Sequence, residues 1–125
     1  MENMDNRPTQ HSLTWTVTDD MCAKRIGTAG AKILSTPNML SLMEACALEL
    51  AKEYLEEGET TVGAEAHIRH LAPTPVGMKV TATATLRSIE GRKMWFDLVV
   101  NDEKGKCGEG SHLRVKVANK DRSKK

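Results

Sequence analysis

The stretch STPNMLSLMEACALELAKEYLEEGETTVGAEAHIRH, Ser35 to His70, decides the fold, because its apolar period changes partway along. As far as Glu59 the apolar residues recur at helical spacing, and from Thr61 onward they alternate. Thr36 followed by Pro37 reads as a helix start, with a hydroxyl cap and then proline at the first helical position. Gly58 reads as the glycine that closes the helix. A helix of about twenty residues would be roughly 30 Å long.

The period of two then persists. Strands are predicted at Thr61–Leu71, Met78–Ile89, Lys93–Asp102 and Lys106–Ala118, with hairpin turns at Glu90-Gly91 and Glu103-Lys104-Gly105. A first strand is predicted within Ser12–Asp20, and Met21–Leu34 reads as a connecting segment. One helix cannot cover both faces of a doubly wound sheet, and the second helix of a ferredoxin-like plan is absent. A curved antiparallel sheet wrapped around one long apolar helix fits: an α+β chain of hotdog architecture. The predicted domain runs from 12 to 118, with a flexible N-terminal tail at 1–11 and a charged C-terminal tail at 119–125.

At 125 residues the chain is one domain, long enough to bury a core without a metal or disulfide staple. A net charge of +1 with no concentrated basic face argues against a nucleic-acid partner. Cys22, Cys46 and Cys107 are odd in number and lack metal-ligand spacing, so they read as reduced thiols in a cytoplasmic protein. The polar start MENMDNRPTQ has no hydrophobic signal region, and no apolar run approaches membrane-spanning length.

Two polar residues sit where apolar ones belong. On a helical projection Leu40, Ala47, Leu48, Ala51 and Leu55 fall within about 60° of Glu44, which places a carboxylate inside an apolar face. Burying it unpaired costs several kcal/mol or forces it to take a proton. In the strand, Val62, Ala64, Ala66, Ile68 and His70 share one face while Glu65, His67 and Arg69 share the other. A buried Glu beside a His offsets the desolvation of both. Read singly, Glu44 could reach water past the helix end, His70 could be a satisfied structural histidine, and Thr36 is explained by capping alone. Thr36 lies about 12 Å along the helix axis from Glu44, so spacing alone does not unite them.

The segments STPNMLSLMEAC, TTVGAEAHIRHLAPTPVG and GEGSHLRV resemble the fluoroacetyl-CoA thioesterase-like branch of the hotdog thioesterases. That resemblance implies hydrolysis of a small or short-chain acyl-CoA, with Thr36, Glu44 and His70 as the catalytic residues. It implies Gly63 as a backbone N–H donor to the thioester carbonyl. His112 and Arg114 read as structural or CoA-edge residues, Arg114 being the candidate substrate contact. The resemblance also implies a homodimer or dimer of dimers in which Glu44 and His70 meet across chains. It implies no metal or redox cofactor, since CoA enters as part of the substrate. The family's phenylalanine-bearing lid before the helix has no counterpart in Met21–Leu34, so fluoroacetyl specificity is not implied. A non-catalytic acyl-CoA binding or sensing module on the same fold is the alternative, and a hotdog dehydratase or hydratase is a third reading.

Overall fold

Strand β1 (Gln10–Thr16), helix α1 (Thr36–Ala51) and strands β2 (Glu59–His70), β3 (Lys79–Glu90), β4 (Lys93–Asp102) and β5 (Gly105–Ala118) follow in that order in the computed structural model, which describes residues 6–23 and 31–118. The five strands form one antiparallel sheet, and α1 packs its apolar side against it in the hotdog arrangement. No helix among the described residues is long and apolar enough to cross a membrane.

The helix starts where the sequence places it, but its cap differs. Ser35, not Thr36, is the cap: its buried side-chain oxygen accepts from the Asn38 N–H at 3.2 Å. Thr36 is the first helical residue, so its hydroxyl is free for another partner. The α-helix ends at Ala51 after 16 residues, and a 3-10 turn covers Lys52–Tyr54. Its length is therefore about 24 Å rather than 30 Å. Gly58, at φ +86°, makes the turn into β2 instead of closing α1.

The buried side of α1 is also displaced from the predicted arc. Met39, Leu42, Met43, Cys46, Ala47, Leu50 and Ala51 are buried, whereas Leu40, Glu44 and Leu48 are only half-buried. The helix is apolar around most of its circumference, so two arcs compete as its core face. The bulkier set of methionines and leucines takes the core, joining Phe96, Leu98, Val80, Ala82 and Val100 of the sheet. Glu44 sits on the flank of that core, not within it.

Strand order across the sheet is β1-β3-β4-β5-β2. Tight turns join β3 to β4 and β4 to β5, so those three form a meander. β2 pairs with β5 and not with its sequence neighbour β3, because the segment from Leu71 to Met78 carries the chain across to the other side. A bulge between Gly63 and Glu65 shifts the β2–β5 register. Directly paired residues share a face, so Gly63 opposite Arg114, Ala66 opposite His112, Ile68 opposite Gly110 and His70 opposite Gly108 line the inner side. The extra residue turns Val62 outward, where it is 48% exposed, and Val62 leaves the apolar row assigned to it by alternation.

The opposite edge strand, β1, is laced to β3 by outward side chains. Ser12 bonds Thr83 at 2.8 Å, Thr14 bonds Thr81 at 2.7 Å, and the Gln10 amide donates to Thr85 at 3.0 Å. β1 opens at Gln10, before the predicted tail ends. The residues just ahead are tied down as well: the Tyr54 hydroxyl donates to the Pro8 carbonyl at 2.8 Å, and the Arg7 guanidinium lies 4.6 Å from the Tyr54 ring centroid. The expected tail at 119–125 lies outside the described residues, as does 24–30 of the connecting segment.

At Gly110 the β2 backbone leaves no room for a side chain. A Cβ there would lie 2.1 Å from the His67 carbonyl oxygen and 3.1 Å from its carbon, both rigid backbone atoms. Gly110→Ala is therefore expected to cost about 1–3 kcal/mol as an overpacking change. Thermal unfolding followed by circular dichroism should show a melting temperature lower by at least about 4 °C.

Candidate functional site

The freed Thr36 hydroxyl meets His70 at the end of β2. Thr36 Oγ1 and His70 Nδ1 are 2.7 Å apart. The other ring nitrogen, Nε2, is buried and has no hydrogen-bond partner among the described residues. Burial lowers the His70 pKa below its ordinary value, partly offset by the Ala72 backbone, so the ring is neutral at pH 7. A neutral imidazole whose Nδ1–H donates to the hydroxyl leaves Nε2 bare, able to take up a proton and pass it on. This pair borders a cavity of about 510 Å³ whose walls include Ala23, Ile33, Leu34, Leu71 and Ala72. Apart from Ser35, Thr36 and His70 the described lining is aliphatic.

A second cluster forms at the other end of β2. A Cβ placed on Gly63 would lie 3.2 Å from His112 Cε1, 3.4 Å from Glu44 Oε2 and 3.5 Å from Arg114 Nη1. Three polar side chains from α1 and β5 thus converge on a strand position without a side chain. Arg114 is buried and donates from Nε to Thr61 Oγ1 at 2.7 Å and from Nη2 to the Thr61 carbonyl at 3.1 Å. Burial pulls the guanidinium below its usual pKa, and the nearby Glu44 carboxylate opposes that pull. His112, also buried, contacts Arg114 Nη1 through Nε2 at 3.0 Å and the Glu65 carbonyl through Nδ1 at 2.8 Å. Its pKa is lowered, first by burial, with the Arg114 charge adding to that and Glu44 and the Glu65 carbonyl opposing it.

The chain therefore brings Thr36 to His70 and Glu44 to Gly63 and Arg114, but it does not bring Glu44 to His70. Along β2 the two clusters are about 20 Å apart, given about 3.3 Å of rise per residue. His112 stands at the centre of the second cluster, a place the sequence reading did not give it. Period-two counting on β5 carries the signal, since His112 and Arg114 share the inner face with Gly108 and Gly110. His67 lies on the outer face, its side chain 74% exposed and 3.8 Å from Glu65. Among the described residues no group of three or more His, Cys, Asp or Glu side chains is arranged to hold a metal ion.

Residues 17–120 match the protein family described as fluoroacetyl-CoA-specific thioesterase (FlK). The fluoroacetyl-CoA thioesterase of Streptantibioticus cattleyicolor is 36% identical over 86 residues, which cover 69% of this chain and 62% of that relative. A crystal structure of a mutant of FlK in complex with fluoroacetate and CoA superposes with a TM-score of 0.81 at 28% identity, covering 87% of this chain and 92% of that one. A hot-dog-like protein from Thermanaerovibrio acidaminovorans gives a TM-score of 0.85 at 26% identity, covering 95% and 88%.

Both inner histidines have folded pKa values below the unfolded one. The unfolded chain therefore binds more protons as pH falls through the ordinary histidine range, and stability rises with pH there. Their contribution is fully present above the unfolded value of about 6.5 and is lost as pH drops through the folded values. The melting temperature is expected to fall from pH 7.5 to pH 5, and His112→Gln should flatten that slope. A scanning calorimetry series across this range checks it.

Proposed function

This chain belongs to the fluoroacetyl-CoA-specific thioesterase family, and from that premise we propose that it hydrolyses a small or short-chain acyl-CoA to the free acid and CoA. The observation that carries the reading is the buried, unpartnered Nε2 of a histidine whose Nδ1 is held by Thr36. It supplies half of an acid–base pair, and the other half, Glu44 beside Gly63 and Arg114, waits at the far end of the same strand.

The working unit we propose is a homodimer. β2 is an edge strand, and Val62 to His67 are all exposed along it. Antiparallel pairing of two β2 edges about an axis near Ala66 and His67 would satisfy their open backbone groups. The same pairing sets His70 of one chain against the Gly63–Ala64 segment of the other, so each dimer would hold two composite sites. Three buried, unpaired cysteines support a cytoplasmic location.

In the composite site the thioester carbonyl lies against the Gly63 N–H, which stabilises the oxyanion as the carbonyl carbon becomes tetrahedral. Glu44 draws a proton from water, the water oxygen bonds to the acyl carbon, and the C–S bond breaks. His70 Nδ1–H donates to Thr36 Oγ1, so Nε2 is bare; it takes the proton from Glu44 and, as an imidazolium, gives it to the departing CoA thiolate, which leaves His70 neutral and Glu44 ionised again. Glu44 can instead attack the carbonyl itself and form an anhydride that water opens. A single turnover in ¹⁸O-water separates the two routes, since only the anhydride route leaves label in the protein. Arg114 anchors the carboxylate side of the site by its charge. The aliphatic cavity beside Thr36 and His70 suits a small apolar acyl chain or the pantetheine arm. No cofactor is part of the proposal.

Glu44→Gln tests the reading. The amide is nearly isosteric, but it takes the offsetting charge away from the buried Arg114, so the melting temperature should fall modestly while the fold holds. Turnover across a panel of acyl-CoAs, followed by free thiol, should drop by ~10²-fold or more. His67→Ala is the control and should stay within about threefold, since its side chain faces outward. Thioester turnover of the Glu44→Gln dimer within tenfold of wild type would move the assignment to an acyl-CoA binding module.

A further inference from the structure

The contacts of His112 fix its protonation state. An arginine N–H can only donate, so at 3.0 Å the His112 Nε2 must accept from Arg114 Nη1. The ring proton then sits on Nδ1, where it donates to the Glu65 carbonyl at 2.8 Å. Both partners matter to the cluster at Gly63. Glu65 closes the bulge that turns Gly63 inward. Arg114, with two bonds to Thr61 and one to His112, has three of its five N–H groups committed and lies close enough to Glu44 to feel its charge. The ring itself is the nearest neighbour of the Gly63 position.

We propose that His112 is a positioning residue, locked as the Nδ1–H tautomer, which ties the Glu65 carbonyl of the bulge to the Arg114 guanidinium and so sets Gly63 and Glu44 in register for the thioester. It does not touch the reacting atoms. The groups facing it are Arg114 on its own strand, Glu44 from α1, the Glu65 carbonyl from β2 and Phe96 from β4, so no other acid within these elements competes for its ring proton. The catalytic part of the inference rests on the thioesterase reading above, whereas the tautomer does not.

Two measurements on the full-length protein test it. A long-range ¹H–¹⁵N spectrum of ¹⁵N-histidine-labelled protein at pH 7.5, assigned by the signal lost in His112→Gln, should show a protonated Nδ1 and an unprotonated Nε2. An Nε2–H tautomer or a cationic ring at this site would overturn the proposal. In kinetics, His112→Phe keeps the ring volume but loses both bonds; kcat should fall about 10- to 100-fold with KM within about threefold, as expected for a mispositioned site. His112→Asn keeps a donor for Glu65 and His112→Gln keeps an acceptor for Arg114, so each should recover part of kcat. If His112→Phe does not fold, the Asn and Gln variants alone decide, and wild-type kcat in both would overturn the proposal. Wild-type kcat in His112→Phe, with Glu44→Gln still inactive, would also overturn it. If the wild-type protein turns over no acyl-CoA, the thioesterase reading falls and the tautomer spectrum still decides whether His112 is locked.

Discussion

Strand β2 runs for twelve residues with β5 on one side and an open edge on the other. Alternate backbone N–H and C=O groups along such an edge want partners, and an exposed strand of that length is a template for another chain. Its side chains do little to close it: Gly63, Ala64 and Ala66 are small, and Thr60, Glu65, His67 and Arg69 are the charged or polar residues of the outer face. The two polar clusters sit at the two ends of this edge. In one chain they are too far apart to act together, whereas antiparallel pairing of two edges superimposes the end of one on the start of the other. The same backbone demand that favours the proposed pairing would thus assemble the site.

Small local choices place the side chains once that edge exists. Ser35 takes the cap, so Thr36 is left to hold His70. The bulge at Ala64 restores Gly63 to the inner face, where a Cβ would press on His112 and Glu44. Arg114 is kept in place by Thr61 on the neighbouring strand. Each device changes one or two bonds, but together they decide which atoms would face the thioester carbonyl in the proposed site.

Much of this was legible in the sequence. The switch of period near Thr61 revealed one helix followed by strands, and the four later strands lie within two residues of their predicted bounds. The pairing of Thr36 with His70 was not legible, because Ser35 and Thr36 are adjacent hydroxyls and either can cap a helix that opens on Pro37. The bulge was hidden because Ala64 is small and the alternation on either side of it still looks regular. Glu44 was singled out as an intruder in an apolar face but lies half-buried on the flank of the core, because a helix apolar around most of its surface does not announce which arc is the core. The β2–β5 pairing depends on the sheet's topology, which local periodicity does not carry. His112 had a visible inner-face parity with Arg114, and its weight came only from the arginine it contacts.

Mixing two inactive variants tests the central claim most directly. His70→Ala and Glu44→Gln each lack one half of the proposed site, and each homodimer should be inactive. After co-refolding in equal amounts, half of the dimers carry one chain of each kind. A site shared between chains then joins the His70 of one variant to the Glu44 of the other. One of the two sites in every mixed dimer is restored, and the mixture should recover roughly a quarter of wild-type activity for an isologous pair. If the mixture stays as inactive as its parents while mixed dimers are present by mass spectrometry, the two clusters do not meet across the β2 edge and the account is wrong.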